Sequence, residues 1–277
     1  MPYSQDETAL NSYVDIGTPS RIWTVPSIHS DVWQLIRVHD HILSEFRAGD
    51  RIVYLGNYIG IGDAPLETLD EILTFRRMVM SIPGVKADDL VYLRGLQEEM
   101  WQKLLQIHFA PNPYQILGYL LENGIETMIR ALGSSPEEGL RATREGVLSL
   151  TRWTNSLREK IRRRPGLDCF FHQLKRAAYT SQHHSAPLLF VNSGIDPERP
   201  LHRQSDSFWW SGKNFNHINE PYAHFHKVVR GYDPNHEGLH LNCVTATLDD
   251  GCGYGGNLVS ACVDAQLGEI RDIFRAQ

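Results

Sequence analysis

The feature that most constrains this chain is a series of short β-branched and aromatic runs, each stopping abruptly in a polar or glycine-bearing segment. Arg21–Val25 (RIWTV) halts at Pro26, residues 51–55 (RIVYL) at Gly56, and residues 90–93 (LVYL) at Arg94-Gly95. Between them the apolar residues recur at helical spacing. Val32, Leu35, Ile36, Ile42, Leu43 and Phe46 form one stripe, with Ser30 as its expected N-cap. Leu66, Leu69, Ile72, Leu73, Met78 and Val79 form the next, ending before Pro83-Gly84. Strands alternating with helices predict a largely parallel α/β core. In such sheets the loops leaving one edge of the strands build the site.

The middle of the chain breaks this rhythm. Residues 111–184 read as helical almost throughout. Ser135-Pro136-Glu137-Glu138 is a capping box with Pro at the first helical position, opening a helix with Leu140, Val147, Leu150, Trp153, Leu157 and Ile161 on its apolar face. The basic run at 158–164 (REKIRRR) is balanced by Glu137, Glu138, Glu145 and Glu159 and reads as a solvated helix end. Strands return at 187–191 (PLLFV), 227–229, 244–248 and 258–263. The last two flank a glycine-rich turn, 251–256 (GCGYGG), expected as a tight connection within a second sheet. It lacks the G-x-x-x-x-G-K-[ST] arrangement of a phosphate-binding loop. One domain follows, with a core at about residues 20–110 and 185–270 and a helical insert at about 111–184.

Composition narrows the function. A net charge of -6 and a pI near 6.1 exclude the basic surface typical of nucleic-acid binding. No stretch reaches the roughly 20 apolar residues of a membrane span. The first 19 residues are polar and acidic, without a secretory pattern. Cys169, Cys243, Cys252 and Cys262 show no C-x-x-C spacing, so reduced thiols and a cytoplasmic setting are expected, with no membrane and no nucleic-acid partner.

The segments that follow the strands are Pro26-Ser27-Ile28-His29-Ser30, Gly56-Asn57-Tyr58-Ile59-Gly60-Ile61-Gly62, Arg94-Gly95-Leu96-Gln97-Glu98-Glu99-Met100, Asn192-Ser193-Gly194-Ile195-Asp196 and Arg230-Gly231-Tyr232-Asp233-Pro234. In order and strand context they resemble the motifs of calcineurin-like metallophosphoesterases, in particular the serine/threonine phosphatase and symmetrical diadenosine tetraphosphatase branch. There the segments read G-D-x-H-G, G-D-x-x-D-R-G, R-G-N-H-E, H-A-G and G-H-T-P or R-A-H. VYLGNYIGIG, LVYLRGLQEEM and LLFVNSGIDPERPLHRQ extend the likeness, which spans residues 22–264 apart from much of the insert. The resemblance implies an α/β/β/α sandwich with a helical insertion after the third motif.

It also implies which atoms are missing. In the family the first Asp and His bind one metal, the second Asp bridges two, and the Asn binds the other. The next His acts on the leaving group, and two later His complete the shells. The matching positions here are Ser27, His29, Asn57, Leu96, Gln97, Asn192 and Tyr232, of which only His29 is unchanged. Gly60 and Ile61 replace a further Asp and a phosphate-facing Arg. Two dications ~4 Å apart repel by roughly 16 kcal/mol at an effective dielectric of about 20, and no carboxylate remains at these positions to offset that. The expectation is a metal-free, cofactor-free, catalytically inactive pseudophosphatase that binds an unknown protein or phosphorylated ligand.

Two alternatives stay open. One is an altered hydrolase using one metal or none around His29, Gln97, Glu98 and Asp233, and the other is a structural or assembly protein. Arg94 and Arg230 are candidate ligand-binding residues, or else they pair with Glu98, Asp233 or backbone carbonyls. His29 itself is expected to be a hydrogen-bonded histidine at the turn. Removal of metals and carboxylates together is expected to leave a roughly neutral cleft whose polar side chains hydrogen-bond one another. His224-Phe225-His226 would set two imidazoles on one face of a strand, with His183-His184 nearby in the chain, but chance clustering is the simpler reading. Asp249-Asp250 reads as turn chemistry.

Overall fold

The computed structural model describes residues 12–276. Residues 1–11, part of the acidic start read above, and residue 277 lie outside the described residues.

Runs that are apolar on both faces must be covered on both faces, and the strands are. β2 (Arg21–Val25), β3 (Arg51–Tyr54) and β4 (Leu90–Tyr92) pair in parallel, and β10 (Val259–Asp264) and β11 (Glu269–Arg275) continue the sheet antiparallel from the β2 edge. A six-stranded sheet has the order β1 (Tyr13–Asp15), β5 (Ala177–Tyr179), β6 (Leu188–Val191), β7 (Lys227–Arg230), β9 (Thr245–Thr247) and β8 (His240–Leu241). Its middle strands β6, β7 and β9 are parallel.

Side-chain alternation sorts each strand between two cores. Val53 and Leu55 face inward with Ile22 and Val91 and meet Phe190 and Val229 of the other sheet. Ile52 and Tyr54 face outward under α1 (Val32–Glu45) and α2 (Pro65–Met80). The outer face of the six-stranded sheet is covered more thinly, by α9 (Ser207–Trp210) and the loop residues Phe215, Tyr222 and Phe225. The layers are α/β/β/α, as the motif order implied.

After β4 come α3 (Leu96–Leu105), α4 (Pro113–Leu120), α5 (Glu126–Ala131), α6 (Pro136–Glu145), α7 (Val147–Arg162) and α8 (Leu167–Gln173). The capping box at Ser135 is present: its hydroxyl accepts from Glu138 N at 3.2 Å, and Glu138 Oε2 accepts from Ser135 N at 3.3 Å. The single helix read through 140–161 is two. Gly146, with φ 102° and ψ 179°, ends α6, and Val147 is turned out, 60 % exposed. The helices stop at Gln173, and Ala177–Tyr179 already belongs to the sheet.

Two further local readings change. The N-cap of α1 is Asp31, whose carboxylate accepts from Gln34 N at 3.0 Å. Ser30 sits one residue too early, in left-handed backbone (φ 65°), with its hydroxyl buried and unpartnered. The turn at 251–256 does not join neighbours in one sheet. It carries the chain from β9 in the six-stranded sheet to β10 in the five-stranded one, because β10 finds its partner in β2.

Gly56 fixes how closely the β3 and β4 loops approach. Its φ is 91°, and a Cβ there would stand 2.5 Å from the Gly95 backbone. Gly56→Ala is expected to lower the unfolding free energy by about 2–4 kcal/mol. Urea denaturation at unchanged slope measures this, and a loss under ~0.5 kcal/mol would contradict the close approach.

Candidate functional site

The loops leaving β2, β3, β4, β6 and β7 converge at one edge of the sandwich, and polar side chains tie them together. Ser27 Oγ donates to Gly231 O at 2.8 Å and accepts from Asn57 Nδ2 at 3.1 Å. Asn57 Oδ1 accepts from Gln97 N at 3.0 Å. Asn192 Nδ2 donates to Leu55 O at 2.7 Å, while its Oδ1 accepts from Leu96 N at 3.0 Å. Ser27, His29, Asn57, Gln97, Asn192 and Tyr232 are all buried, none more than 7 % exposed.

Glu98, weighed in the sequence as part of an altered active site or as a partner of the arginines, is the hub of these loops. Its two oxygens accept from the backbone N–H groups of Asn57, Tyr58, Ile59 and Gly95 at 2.8, 2.9, 3.3 and 2.9 Å. Burial pushes its carboxyl pKa up, and those four amides pull it back. The backbone of the loops around it is strained. His29, Ser30, Asn57 and Ile61 are four of the seven non-glycine residues with positive φ among the described residues, and such residues persist only where surrounding contacts over-determine them.

The side chains at the replaced positions fill space instead of lining it. A Cβ on Gly60 would overlap Gln97 Oε1, so Gln97 takes the room that a side chain at position 60 would need. Gln97 Nε2 donates to Asn123 O of the insert at 2.9 Å. Ile61 packs against Gly124, where a Cβ would lie 2.7 Å from its Cδ1. The turn at 121–125 thus closes over the converging loops.

His29 differs from its expectation. Both ring nitrogens are buried without a hydrogen-bond partner. The ring is held edge-on by Tyr232 and Tyr254, at centroid distances of 5.6 and 5.4 Å. Tyr232 and Tyr254 are hydrogen-bonded to each other, and the His236 ring lies tilted against Tyr254 at a centroid distance of 4.1 Å. Gly253 permits this cover, because a Cβ there would overlap the His29 side chain. Burial, assisted by His236, lowers the His29 pKa to about 3.

The two arginines part ways. The five N–H groups of Arg230 face Thr247 Oγ1, Ser193 O, Gly212 O, Asn216 Oδ1 and Asp233 Oδ1, the last an ion pair at 3.0 Å with both side chains fully buried. Arg230 therefore holds loops and has no donor left for a ligand. Asp233 is equally committed, accepting from Asn235 N and Glu237 N as well. Arg94 pairs with Glu99 at 3.3 Å and borders a cavity on the insert side. His224 and His226 lie in the loop before β7, not on a strand. Asp249 accepts from Gly251 N within its own turn, and also from Asp233 N of the loop after β7, so it ties two loops together as well.

A dinuclear metal centre does not fit this donor set. Ser27, Asn57 and Asn192 are neutral and engaged, Leu96 offers no ligand atom, and Tyr232 is tied to Tyr254. Among the described residues no three His, Cys, Asp or Glu are grouped to hold an ion. Among them, too, no helix is long and apolar enough to cross a membrane.

No family profile matches the chain, and no curated protein matches it. Solved structures do. A candidate diadenosine tetraphosphatase superimposes with a TM-score of 0.53 at 18 % identity, over 96 % of this chain and 98 % of that one. A serine/threonine phosphatase from Saccharomyces cerevisiae, with similarity to human phosphatase PP5, gives 0.53 at 12 % identity, over 99 % and 87 %. The chain has the calcineurin-like phosphoesterase fold.

Two outcomes test the geometry of the site. Glu98→Gln places an NH₂ group against backbone donors and is expected to cost about 2–4 kcal/mol of stability, read by denaturant unfolding. For His29 the folded pKa of about 3 lies below the unfolded value near 6.5. The stability it contributes is complete above pH ~6.5 and is lost as pH falls toward 3, at up to about 1.4 kcal/mol per pH unit. Unfolding free energies of wild type and His29→Phe, measured from pH 7 to 4, should diverge with that slope; parallel curves would contradict it.

Proposed function

We propose that this protein is a catalytically inactive relative of the calcineurin-like phosphoesterases, a pseudophosphatase that acts by binding a protein or a phosphorylated ligand. The observation that carries the reading is the buried network in which Ser27, Asn57 and Asn192, at positions that match the family's metal ligands, are hydrogen-bonded to one another's loops beside Glu98. Those three side chains are neutral, and recruiting them to an ion or an attacking water would disturb the bonds that join the loops. Catalysis by two metals needs both oxygens of an in-line displacement clamped, and no carboxylate stands at the matching ligand positions, while Glu98 and Asp233 are committed to loop amides and Arg230.

A structural or assembly role is the second reading. It is favoured by the closure of the insert over the converging loops through Gln97 and Ile61, which removes a path for substrate to the former centre.

Metal and activity measurements test the proposal together. Purified without chelator, the protein is expected to carry less than about one equivalent of transition metal. Manganese or zinc should leave its Tm unchanged, since an ion bound to the native state would raise it. Hydrolysis of phosphomonoesters and dinucleoside polyphosphates should match a heat-treated control. Turnover abolished by His29→Ala would instead establish the altered hydrolase.

A further inference from the structure

Three arginines from two parts of the chain line a cavity of about 280 Å³ between α3, α7 and α8. Arg94 enters from the end of β4, and Arg158 and Arg162, one turn apart on α7, enter from the insert. The basic run read as a solvated helix end therefore divides. Arg163 pairs outward with Glu159 at 3.2 Å and Arg164 with Asp70 at 3.1 Å, while Arg158 and Arg162 border the cavity. Trp101, Leu105, Ile161 and Phe171 supply apolar wall.

Charge in the cavity is incompletely matched. Arg158 donates to Asn155 Oδ1 and Leu105 O, both uncharged acceptors. Partial burial and the neighbouring Arg162 charge both lower its pKa. Of the two acids at the cavity, Glu98 is consumed by backbone amides, and Asp168 stands 4.0 Å from Arg162. An oxyanion beside Arg158 and Arg162 would relieve their repulsion through charge-assisted hydrogen bonds, for which guanidinium geometry is well suited. The apolar wall beside them suits a ring or a short hydrocarbon, as small-ligand sites generally combine a few polar anchors with apolar lining.

We infer that this cavity binds a small aromatic oxyanion, its phosphate or phosphonate group on Arg158 and Arg162 and its ring against Trp101 and Phe171. The site shares Arg94 and Glu98 with the loop after β4 but is otherwise walled by α3 and the insert, and it stands whether or not the protein hydrolyses esters. Titration of the full chain with phenylphosphonate, followed by calorimetry, tests it, with inorganic phosphate and benzamide as probes lacking the ring or the charge. Phenylphosphonate should bind more tightly than either. Arg162→Gln alters an exposed side chain and is expected to weaken binding about tenfold, the scale of one lost charge-assisted hydrogen bond. Arg158→Gln should do the same, and should it fail to fold through loss of its bond to Leu105, Phe171→Ala provides the second test. Arg152→Gln, exposed on the same helix and away from the cavity, should leave binding unchanged. Absence of binding at millimolar phenylphosphonate, equal binding of inorganic phosphate, or equal losses in Arg162→Gln and Arg152→Gln would each overturn the assignment.

Discussion

The rest of the structure depends on where the backbone N–H groups of the converging loops find acceptors. Five strand ends meet at one edge of the sandwich, and each brings amides that water cannot reach. A buried donor without a partner costs about 1–3 kcal/mol, so a handful left open would consume much of a domain's stability of about 5–15 kcal/mol. One carboxylate, Glu98, takes four of them. Asn57 and Asn192 each take one more while donating to a neighbouring loop. Close approach of the loops, forced by Gly56 against Gly95, is what brings these groups within reach of so few side chains.

The replaced positions make sense as sets rather than singly. Gln97 needs the space that Gly60 leaves, and Ile61 needs the bare backbone of Gly124. In each pair a side chain occupies space that a glycine leaves open. Neutral groups suit the buried setting, because an unpaired charge there would be far more costly than a hydrogen-bonded amide. His29 follows the same logic from the other side: enclosed by Tyr232 and Tyr254, it persists as a neutral ring.

Much of this fold was legible in the sequence, because the strands of its centre are buried on both faces and read as unbroken apolar runs. The shortest strands and the last one were not. β1 and β5 are three residues each and β8 two, too short for any periodicity. β11 (EIRDIFR) mixes charged and apolar residues without strict alternation on an exposed edge, and lacks the dense apolar run of a central strand. The polar positions were identifiable from motif order alone, but their partners were not. That Arg230 points into five acceptors while Arg158 faces only neutral ones depends on contacts across more than ten residues, in one case more than fifty. Sheet membership across the 251–256 turn was equally hidden, since the local residues specify a reversal and say nothing about which strand waits beyond it.

That crossing has a kinetic consequence. β10 enters the five-stranded sheet beside β2, with Thr24 bonded to Ala261 across 237 positions of sequence. A chain emerging from the ribosome N-terminus first can dock β2, β3 and β4 early, since they are close in sequence and parallel through α1 and α2. The free side of β2 then remains an open edge, rich in apolar side chains, until nearly the whole chain has been made. Such long-range closure slows folding, and an unpaired edge invites association in the interval. Nascent chains truncated before β10 should accordingly be the aggregation-prone species of this protein, with the last two strands serving as the cover that ends the exposure.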